Sequence, residues 1–281
     1  MRTNKAAELL AQGQPIYYTG AQDRSYEGGR ASARTWADYI TYEMEHGPFD
    51  VAGLHEFMRG LVDGGPTASG HRTPTVICTL PVTGADPVSF RANAWMVSQV
   101  LACGVHGILL CHAESPEAVA AFVQAARYTF RGGTRGSGGQ GHAADVWGIS
   151  TQEYLERADP WPLNPSGELL LGLKIENTRA MENAETVAAV PGIAFAEWGP
   201  GDMGMALGHM DAHDPPYPPD MLEARGRVLA ACQKNNLAFL EMVTPDNVVE
   251  QLSAGVMIGA GRQAEAAAKI GRRHTNRPEP W

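Results

Sequence analysis

The chain has 281 residues, of which 44% are hydrophobic and 19% are charged, a composition that suits a folded protein with a sizeable core and excludes disorder as the default. Its formal net charge is −9, and its 22 lysines and arginines form no long run. Because binding to nucleic acid requires a basic patch, we expect a small-molecule ligand in a pocket and no nucleic-acid partner.

The cysteines and the first residues of the chain indicate the compartment. The four cysteines show neither CxxC spacing nor a paired framework, which is typical of reduced core thiols. The sequence becomes polar at residues 11–14 before an apolar segment develops, and no later segment holds about 18 uninterrupted apolar residues. We therefore expect a cytoplasmic protein with no secretion signal and no membrane span.

Predicted helices and strands alternate in the first half of the chain. The helices are predicted at 5–11, 33–37, 51–61, 92–103 and 116–127, and the strands at 16–19, 39–43, 75–79 and 107–111. Residues 132–165 follow as a long loop that contains glycines and tryptophans, with some short helix. Loops of this length in compact enzymes tend to be functional.

The second half continues the alternation. Strands are predicted at 169–175, 193–198, 237–243 and 256–258, helices at 180–189, 219–235, 247–254 and 264–273, and an extended tail at 274–281. About eight strands that alternate with helices favour a single-domain (β/α)8 TIM barrel over residues 1–281. An open, doubly wound parallel sheet is the alternative.

Two carboxylates follow consecutive predicted strands in the middle of the chain. Glu176 comes after the apolar run 169–175, and Asp202 comes shortly after the run 193–198. A helix between two strands makes them parallel, so both carboxylates are expected on the same face of the sheet. Oxygen ligands side by side suit a hard divalent cation such as Mg²⁺ or Mn²⁺, although carboxylates in this position also cap helices.

An imidazole lies at the end of an earlier strand. Glu43, Glu45 and His46 follow the predicted strand 39–43, and residues at the carboxyl end of a barrel strand belong to the catalytic face. A histidine oriented by a carboxylate is the usual general base near neutral pH. The alternative is that these side chains cap the next helix or form surface ion pairs.

A lysine interrupts the apolar strand that precedes Glu176. Lys174 lies two residues before Glu176, so the period of two places both side chains on the same face. It is either a Schiff-base nucleophile or an electrostatic partner of the carboxylates and of an anionic substrate. Cys111 and His112 end another strand and could reach the same pocket, or they are simply a buried thiol and a satisfied histidine.

Several segments together resemble the HpcH/HpaI aldolase family, the metal-dependent class II pyruvate aldolases that include 4-hydroxy-2-oxoheptanedioate aldolase and macrophomate synthase-type enzymes. The resemblance extends over residues 5–258. Its most specific segments are Ile175-Glu176-Asn177, Asn183-Ala184-Glu185, Val190-Pro191-Gly192-Ile193 and Gly199-Pro200-Gly201-Asp202-Met203. The segment 43–48 also resembles the AspGlyGluHisAlaPro sequence of the family.

The resemblance implies a function and a set of site residues. Glu176 and Asp202 would hold Mg²⁺, Mn²⁺ or Co²⁺, and His46 would be the base with Glu43 as its acidic partner. The loop of Gly199, Pro200 and Gly201 would bind the substrate carboxylate, with Cys78 and His112 also lining the substrate pocket. The implied reaction is retro-aldol cleavage of a 2-oxo acid or an aromatic catabolite through an enolate, in a homo-oligomer, commonly a hexamer.

Two departures from the family pattern bear on this reading. The pocket arginine of the family is expected near Cys78, where the sequence has none, and the glutamine two residues before the metal glutamate is replaced by Lys174. We hypothesise that Lys174 supplies the missing positive charge. The aromatic residues Trp147, Tyr154 and Trp161 suggest a larger substrate. A decarboxylase, a formaldehyde-releasing lyase and a non-catalytic metal-binding barrel are the alternative functions.

Overall fold

The strands form a closed parallel barrel in the computed structural model, which describes residues 2–280. The strands are β1 Ile16–Gly20, β2 Tyr39–Glu43, β3 Thr75–Thr83, β4 Gly107–Cys111, β5 Pro160–Trp161, β6 Leu169–Lys174, β7 Phe195–Glu197, β8 Ala238–Met242 and β9 Val256–Ala260. Their order is β4-β3-β2-β1-β9-β8-β7-β6, and β4 pairs with β6 to close the ring. The two-residue β5 lies beside the start of β6 and pairs with it in parallel. The predicted TIM barrel is confirmed.

Helices surround the barrel. They are α1 Lys5–Ala11, α2 Tyr26–Ser32, α3 Val51–Gly64, α4 Pro87–Asn93, α5 Trp95–Ala102, α6 Pro116–Ala126, α7 Gln140–Trp147, α8 Thr151–Arg157, α9 Thr178–Glu182, α10 Ala184–Ala188, α11 Pro200–Ala206, α12 Pro219–Asn235, α13 Val248–Ser253 and α14 Ala264–His274, with a 3₁₀ turn at Thr129–Arg131. Within residues 2–280, no helix is both long and apolar enough to cross a membrane.

Some predicted helices were wrong. The helix predicted at 33–37 lies instead at Tyr26–Ser32, where Ser25 caps the N-terminus by accepting the Gly28 N–H. Its glycines obscure the helical pattern but allow close packing, since a Cβ on Gly29 would lie 2.2 Å from the Phe57 carbonyl oxygen. The helices predicted at 92–103 and 180–189 are each broken in two, and α11 was not predicted at all.

The barrel has an inner and an outer layer of core residues. Helix α1 closes the N-terminal end of the barrel, where Ala6, Ala7 and Leu10 pack with inward-facing strand residues such as Ile77 and Leu109. The outer layer fills the space between strands and helices, and it contains Cys78. Because side chains alternate along β3, Ile77 and Thr79 face the interior while Cys78 faces the helices.

The segment predicted as a long loop, 132–165, carries α7, α8 and β5 near the N-terminal end of the barrel. Trp147 and Tyr154 are buried in the outer core, and the Trp147 Nε1 donates to the Gly104 carbonyl oxygen at 2.8 Å. Trp161 packs against the inner core. These aromatic side chains therefore stabilise the fold, and the larger substrate inferred from them has no support in the structure.

A buried ion group joins the two ends of the chain. Asp38, just before β2, lies 3.2 Å from Lys5 of α1 and 3.1 Å from Arg272 of α14, and it accepts two hydrogen bonds from Arg277. Burial alone would raise the pKa of Asp38, but the Arg277 hydrogen bond and the charges of Arg272, Arg277 and Lys5 lower it to about 2. Arg277 thus anchors the described part of the tail predicted at 274–281, of which His274 still belongs to α14 and Trp281 lies outside the described residues.

Candidate active site

The carboxyl ends of the strands surround a cavity of about 100 Å³ inside the barrel. It is lined by polar and apolar side chains from seven strands, namely Tyr18, Tyr39, Thr41, Glu43, Ile77, Thr79, Leu109, Lys174, Phe195, Glu197 and Leu240. In a TIM barrel, this end of the strands is the face on which active sites are built.

Lys174 is the cation at the centre of this site. Its Nζ lies 2.5 Å from Glu45 Oε2 and 3.7 Å from Glu176 Oε2. Burial alone would lower the pKa of Lys174, but the charges of Glu197, Glu176 and Glu45 raise it above its usual value. The side chain is therefore an ammonium group at neutral pH, which favours an electrostatic role over a Schiff-base nucleophile, since a nucleophilic amine must be deprotonated.

Glu176 and Glu197 are the carboxylates on the strands beside Lys174. Glu176 is 1% exposed, and its Oε1 accepts the His112 backbone N–H at 2.9 Å. Burial raises the pKa of Glu176 to about 8, and the Lys174 charge and the His112 hydrogen bond offset only part of this effect. Glu197 pairs in register with Lys174 across β6 and β7. Burial also raises the pKa of Glu197, against the charge of Lys174.

Glu197 was not among the residues predicted from the sequence. The available signal was a carboxylate that interrupts the apolar run 193–198, two residues after the buried Phe195. The strand period places both side chains on one face, and Phe195 and Glu197 both line the cavity.

The loop after β2 places an imidazole beside a carboxylate, as predicted, but the partner is different. His46 Nε2 lies 3.5 Å from Glu45 Oε2. Glu43 instead accepts the backbone N–H groups of Glu45 and His46 at 2.5 and 3.1 Å, and the Thr79 hydroxyl at 2.8 Å. Glu43 therefore orders the loop backbone, and Glu45 contacts the imidazole.

The start of α11 brings Asp202 to the same region. Gly199 precedes the helix with a φ of 51°, and a Cβ there would lie 2.4 Å from the Glu176 Cβ. Only glycine allows this close approach with a positive φ. Pro200 then occupies the first turn, and Asp202 follows in the same turn.

Glu176 and Asp202, which were predicted to hold a metal, lie in two separate groups of possible ligands that share Glu45. Ligand atoms of Glu45, His46 and Asp202 all lie within 4.8 Å of one another, and so do those of Glu45, Cys111 and Glu176. Glu45 Oε1 is buried and accepts no hydrogen bond from any residue of the described part of the chain. An unsatisfied carboxylate oxygen among other hard oxygen donors fits a divalent cation.

The other predicted residues divide between the site and the core. The His112 Nδ1 lies 3.5 Å from Glu176 Oε1, and its Nε2 lies 3.9 Å from Glu45 Oε1. Cys111 faces the same carboxylates, and burial raises the pKa of its thiol. Cys78 is not brought to the cluster, because it lies in the outer core. Thr79 is the β3 residue that faces the cavity.

A second cavity, of about 150 Å³, adjoins Glu197 at the same end of the barrel. Its walls include Tyr18, Trp198, Pro200 and His213. His213 lies above the start of α11, where a Cβ on Gly201 would be 3.1 Å from the His213 Cδ2. The site therefore has room beside the carboxylates for part of a small substrate.

A cluster of carboxylates, an imidazole and a lysine thus lies at the carboxyl ends of the strands, where the active sites of TIM-barrel enzymes are built. The HpcH/HpaI aldolase/citrate lyase family profile matches residues 30–260. The chain therefore belongs to this family and is an enzyme of the aldolase and lyase class. Members of the family depend on a divalent metal.

Individual relatives agree with this assignment. The chain is 24% identical over 237 residues to the hydroxypyruvate/pyruvate aldolase of Paraburkholderia phytofirmans, covering 84% of this chain and 82% of the relative. An HpcH/HpaI aldolase/citrate lyase family protein from Burkholderia cenocepacia has the same fold, with a TM-score of 0.73, 22% identity and coverage of 97% and 98%. Macrophomate synthase does too, with a TM-score of 0.68, 22% identity and coverage of 98% and 88%.

Proposed function

We propose that the protein catalyses metal-assisted aldol cleavage, and its reverse, of a 4-hydroxy-2-oxo acid with pyruvate or hydroxypyruvate as the oxo-acid half. Glu176 and Asp202, joined by Glu45, hold the metal, and Lys174 supplies a fixed positive charge to the substrate. The observation that carries the proposal is the Lys174 ammonium, held 2.5 Å from Glu45 and 3.7 Å from Glu176 at the catalytic end of the barrel.

The metal and Lys174 have complementary roles. A bound divalent cation supplies Lewis-acid polarisation of the 2-oxo group. Lys174 is aligned by Glu45 before the substrate arrives, so its charge needs no reorganisation during the reaction. The backbone N–H groups of the loop that holds Gly199 and Gly201 help to hold the substrate carboxylate, and Pro200, which has no N–H, shapes this loop.

His46 moves the proton in the proposed reaction. The imidazole accepts the proton of the substrate C4 hydroxyl, the C3–C4 bond breaks, and C4 leaves as an aldehyde. The bonding electron pair remains on the oxo-acid half as an enolate, and the imidazolium returns the proton to C3, which restores neutral His46. Glu45, 3.5 Å from His46 Nε2, stabilises the imidazolium that forms.

The adjoining cavity limits the aldehyde half. Its volume is about 150 Å³, well below the range of about 300–1,000 Å³ that is usual for drug-sized ligands. A short hydroxyaldehyde fits better than an aromatic one. The hydroxyl of Tyr18 and the imidazole of His213 in its walls are able to hydrogen-bond such a group.

The protein is also proposed to form a homo-oligomer, with the hexamer as the expected state. Large apolar side chains are exposed on α4 and α5, where Val88 is 74% and Trp95 is 48% exposed. Exposed apolar surface of this kind often marks a subunit interface. Light scattering coupled to gel filtration measures the subunit number directly, and a monomeric mass would refute this proposal.

Metal-dependent turnover tests the proposed function. The apoprotein is supplied with Mg²⁺, Mn²⁺ or Co²⁺ and assayed for release of pyruvate or hydroxypyruvate from aliphatic and aromatic 4-hydroxy-2-oxo acids. We expect metal-dependent release from short aliphatic substrates and its loss in the Glu176→Ala variant. Metal binding without release of either oxo acid would instead favour a decarboxylase or a formaldehyde-releasing lyase.

A further inference from the structure

A third cavity lies at the opposite end of the barrel from the carboxylate cluster. Its volume is about 560 Å³, and it is formed by three separate parts of the chain: residues 2–3 before α1, the segment 62–72 that leads into β3, and the segment 147–157 of α7 and α8. All three lie toward the N-terminal ends of the strands. The site proposed for catalysis contributes no residue to it.

The charge of this cavity is unusual for the protein. The chain carries a net charge of −9, yet the lining includes Arg2, Arg72, Arg157 and His71, and no described aspartate or glutamate. Two of the arginines have partners, since Arg157 lies 2.5 Å from Glu168 and Arg2 donates to the carbonyl oxygens of two residues. The local balance remains positive.

Arg72 has the free guanidinium of the cavity. Among residues 2–280 it forms neither an ion pair nor a hydrogen bond. Arg72 is exposed, and its stem lies against Gly148, where a Cβ would be 2.5 Å from the Arg72 Cδ. Arg72 also lines an adjoining cavity whose walls include Asp63 and Asp145. Gly148 has a φ of 69° at the end of α7, so glycine is favoured there for two reasons.

His71 adds a second polar group that lacks a hydrogen bond. It is 4% exposed and lines the cavity, and its Nδ1 contacts the Ser69 hydroxyl at 3.1 Å. Its Nε2 is buried without a hydrogen-bond partner in the described chain, with the Glu8 carboxylate 3.8 Å away. Buried polar atoms are seldom left without a partner, which points to a ligand or water at this position.

We propose that this cavity binds a small organic polyanion, a phosphate ester or a di- or tricarboxylate. Arg72 is the principal contact, and Arg157, Arg2 and His71 complete the site. The planar guanidinium fork matches the oxygens of phosphate and carboxylate. The cavity exceeds the size of one phosphate group, and Val62, Ile149 and Pro66 provide apolar wall for the carbon part of the ligand. A bound anion would join the three chain segments.

Calorimetric titration and thermal unfolding test this site with three probes: inorganic phosphate, glycerol 2-phosphate and citrate, at constant ionic strength set with sodium chloride. We expect saturable binding and a rise in Tm with at least one of them, because a ligand of the native state raises stability by mass action. The ranking of phosphate esters against citrate identifies the anion class.

Matched variants locate the binding. Arg72→Gln removes the free guanidinium and should raise Kd at least tenfold, with an unchanged Tm in the absence of anion, and Arg72→Lys should fall between the two. Arg227→Gln, on the exposed surface of α12, controls for the loss of one positive charge. Lys174→Gln removes the cation of the catalytic end, so it controls for anion binding there and should keep the affinity. Absence of saturable binding, or equal affinity in Arg72→Gln and Arg227→Gln, would overturn the proposal.

Discussion

Replacing Lys174 by glutamine tests the most informative difference between this chain and the family pattern. Metal binding requires Glu176 to be ionised. At an effective dielectric constant of about 20, unit charges at the 3.7 Å separation of Lys174 Nζ and Glu176 Oε2 then interact by about 4–5 kcal/mol. The loss of one preorganised active-site donor typically costs about 10²–10³ in kcat. We therefore expect Lys174→Gln to lower kcat by about 10²–10³.

Metal affinity should respond differently. The ammonium group of Lys174 lies beside the carboxylates that we assign to the metal, so its removal withdraws a repulsive charge. We expect the Kd for Mn²⁺ to stay unchanged or to fall. Calorimetry gives this Kd, and oxo-acid release under metal-saturating conditions gives kcat.

The control for this experiment is Lys269→Gln, which removes a lysine from an exposed i,i+4 pair with Glu265. The Lys174→Arg variant keeps the charge and should retain more activity than Lys174→Gln. If the Lys174→Gln variant is folded, binds metal and has a kcat within threefold of the parent value, the proposal that Lys174 supplies positive charge to the substrate is refuted.

Three further predictions follow from the site and the core. Glu45→Gln should weaken Mn²⁺ binding by about 10–100-fold, as changes at ligand-orienting residues do, and unaltered affinity would remove Glu45 from the proposed set. Thr79→Arg, introduced into Lys174→Gln, should recover at least about tenfold in turnover because residue 79 faces the cavity and a cation can stabilise charge there; a folded double variant without recovery would contradict this. The pKa of Asp38 is about 2 in the folded protein against 3.8 as the ordinary value, so its ionisation stabilises the fold above pH 4 by about 2–3 kcal/mol, and this contribution is lost as the pH falls from 4 to 2. Asp38→Asn should therefore reduce the free energy of unfolding in urea by at least about 3 kcal/mol at pH 7 and by about 1 kcal/mol less at pH 3; equal losses at both pH values would contradict the assignment.

The strands of the barrel were predictable because their apolar runs are short and bounded by polar or glycine residues. The inward direction of the Lys174 side chain was also predictable. Alternate residues of a strand face the same side, and Lys174 lies two residues before Glu176, which was expected to face the site. Cys78 shows the limit of this approach. One residue separates it from Thr79, and that step moves a side chain from the outer core to the cavity.

The details of the site depended on contacts that sequence spacing does not encode. Glu43 and Glu45 were both candidates for the partner of His46. In the turn after β2, the Glu43 carboxylate accepts backbone N–H groups, and Glu45 is the residue that contacts the imidazole. The helix that begins at Pro200 was hidden by its glycines, although proline favours a first helical turn. The position of Glu197 beside Lys174 could not be predicted, because it depends on the pairing of β6 with β7.

The ion group around Asp38 has a consequence for how the enzyme can change. Lys5 and Arg277, near opposite ends of the sequence, contact the same carboxylate, so fraying of either end must break a buried ion pair. This ion group lies where β2 begins, whereas the carboxylate cluster lies at the carboxyl ends of the strands. The ion group and the catalytic residues therefore lie at opposite ends of the barrel. Substitutions in the loops at the carboxyl ends of the strands can change the substrate preference while the ion group keeps the N-terminal end closed.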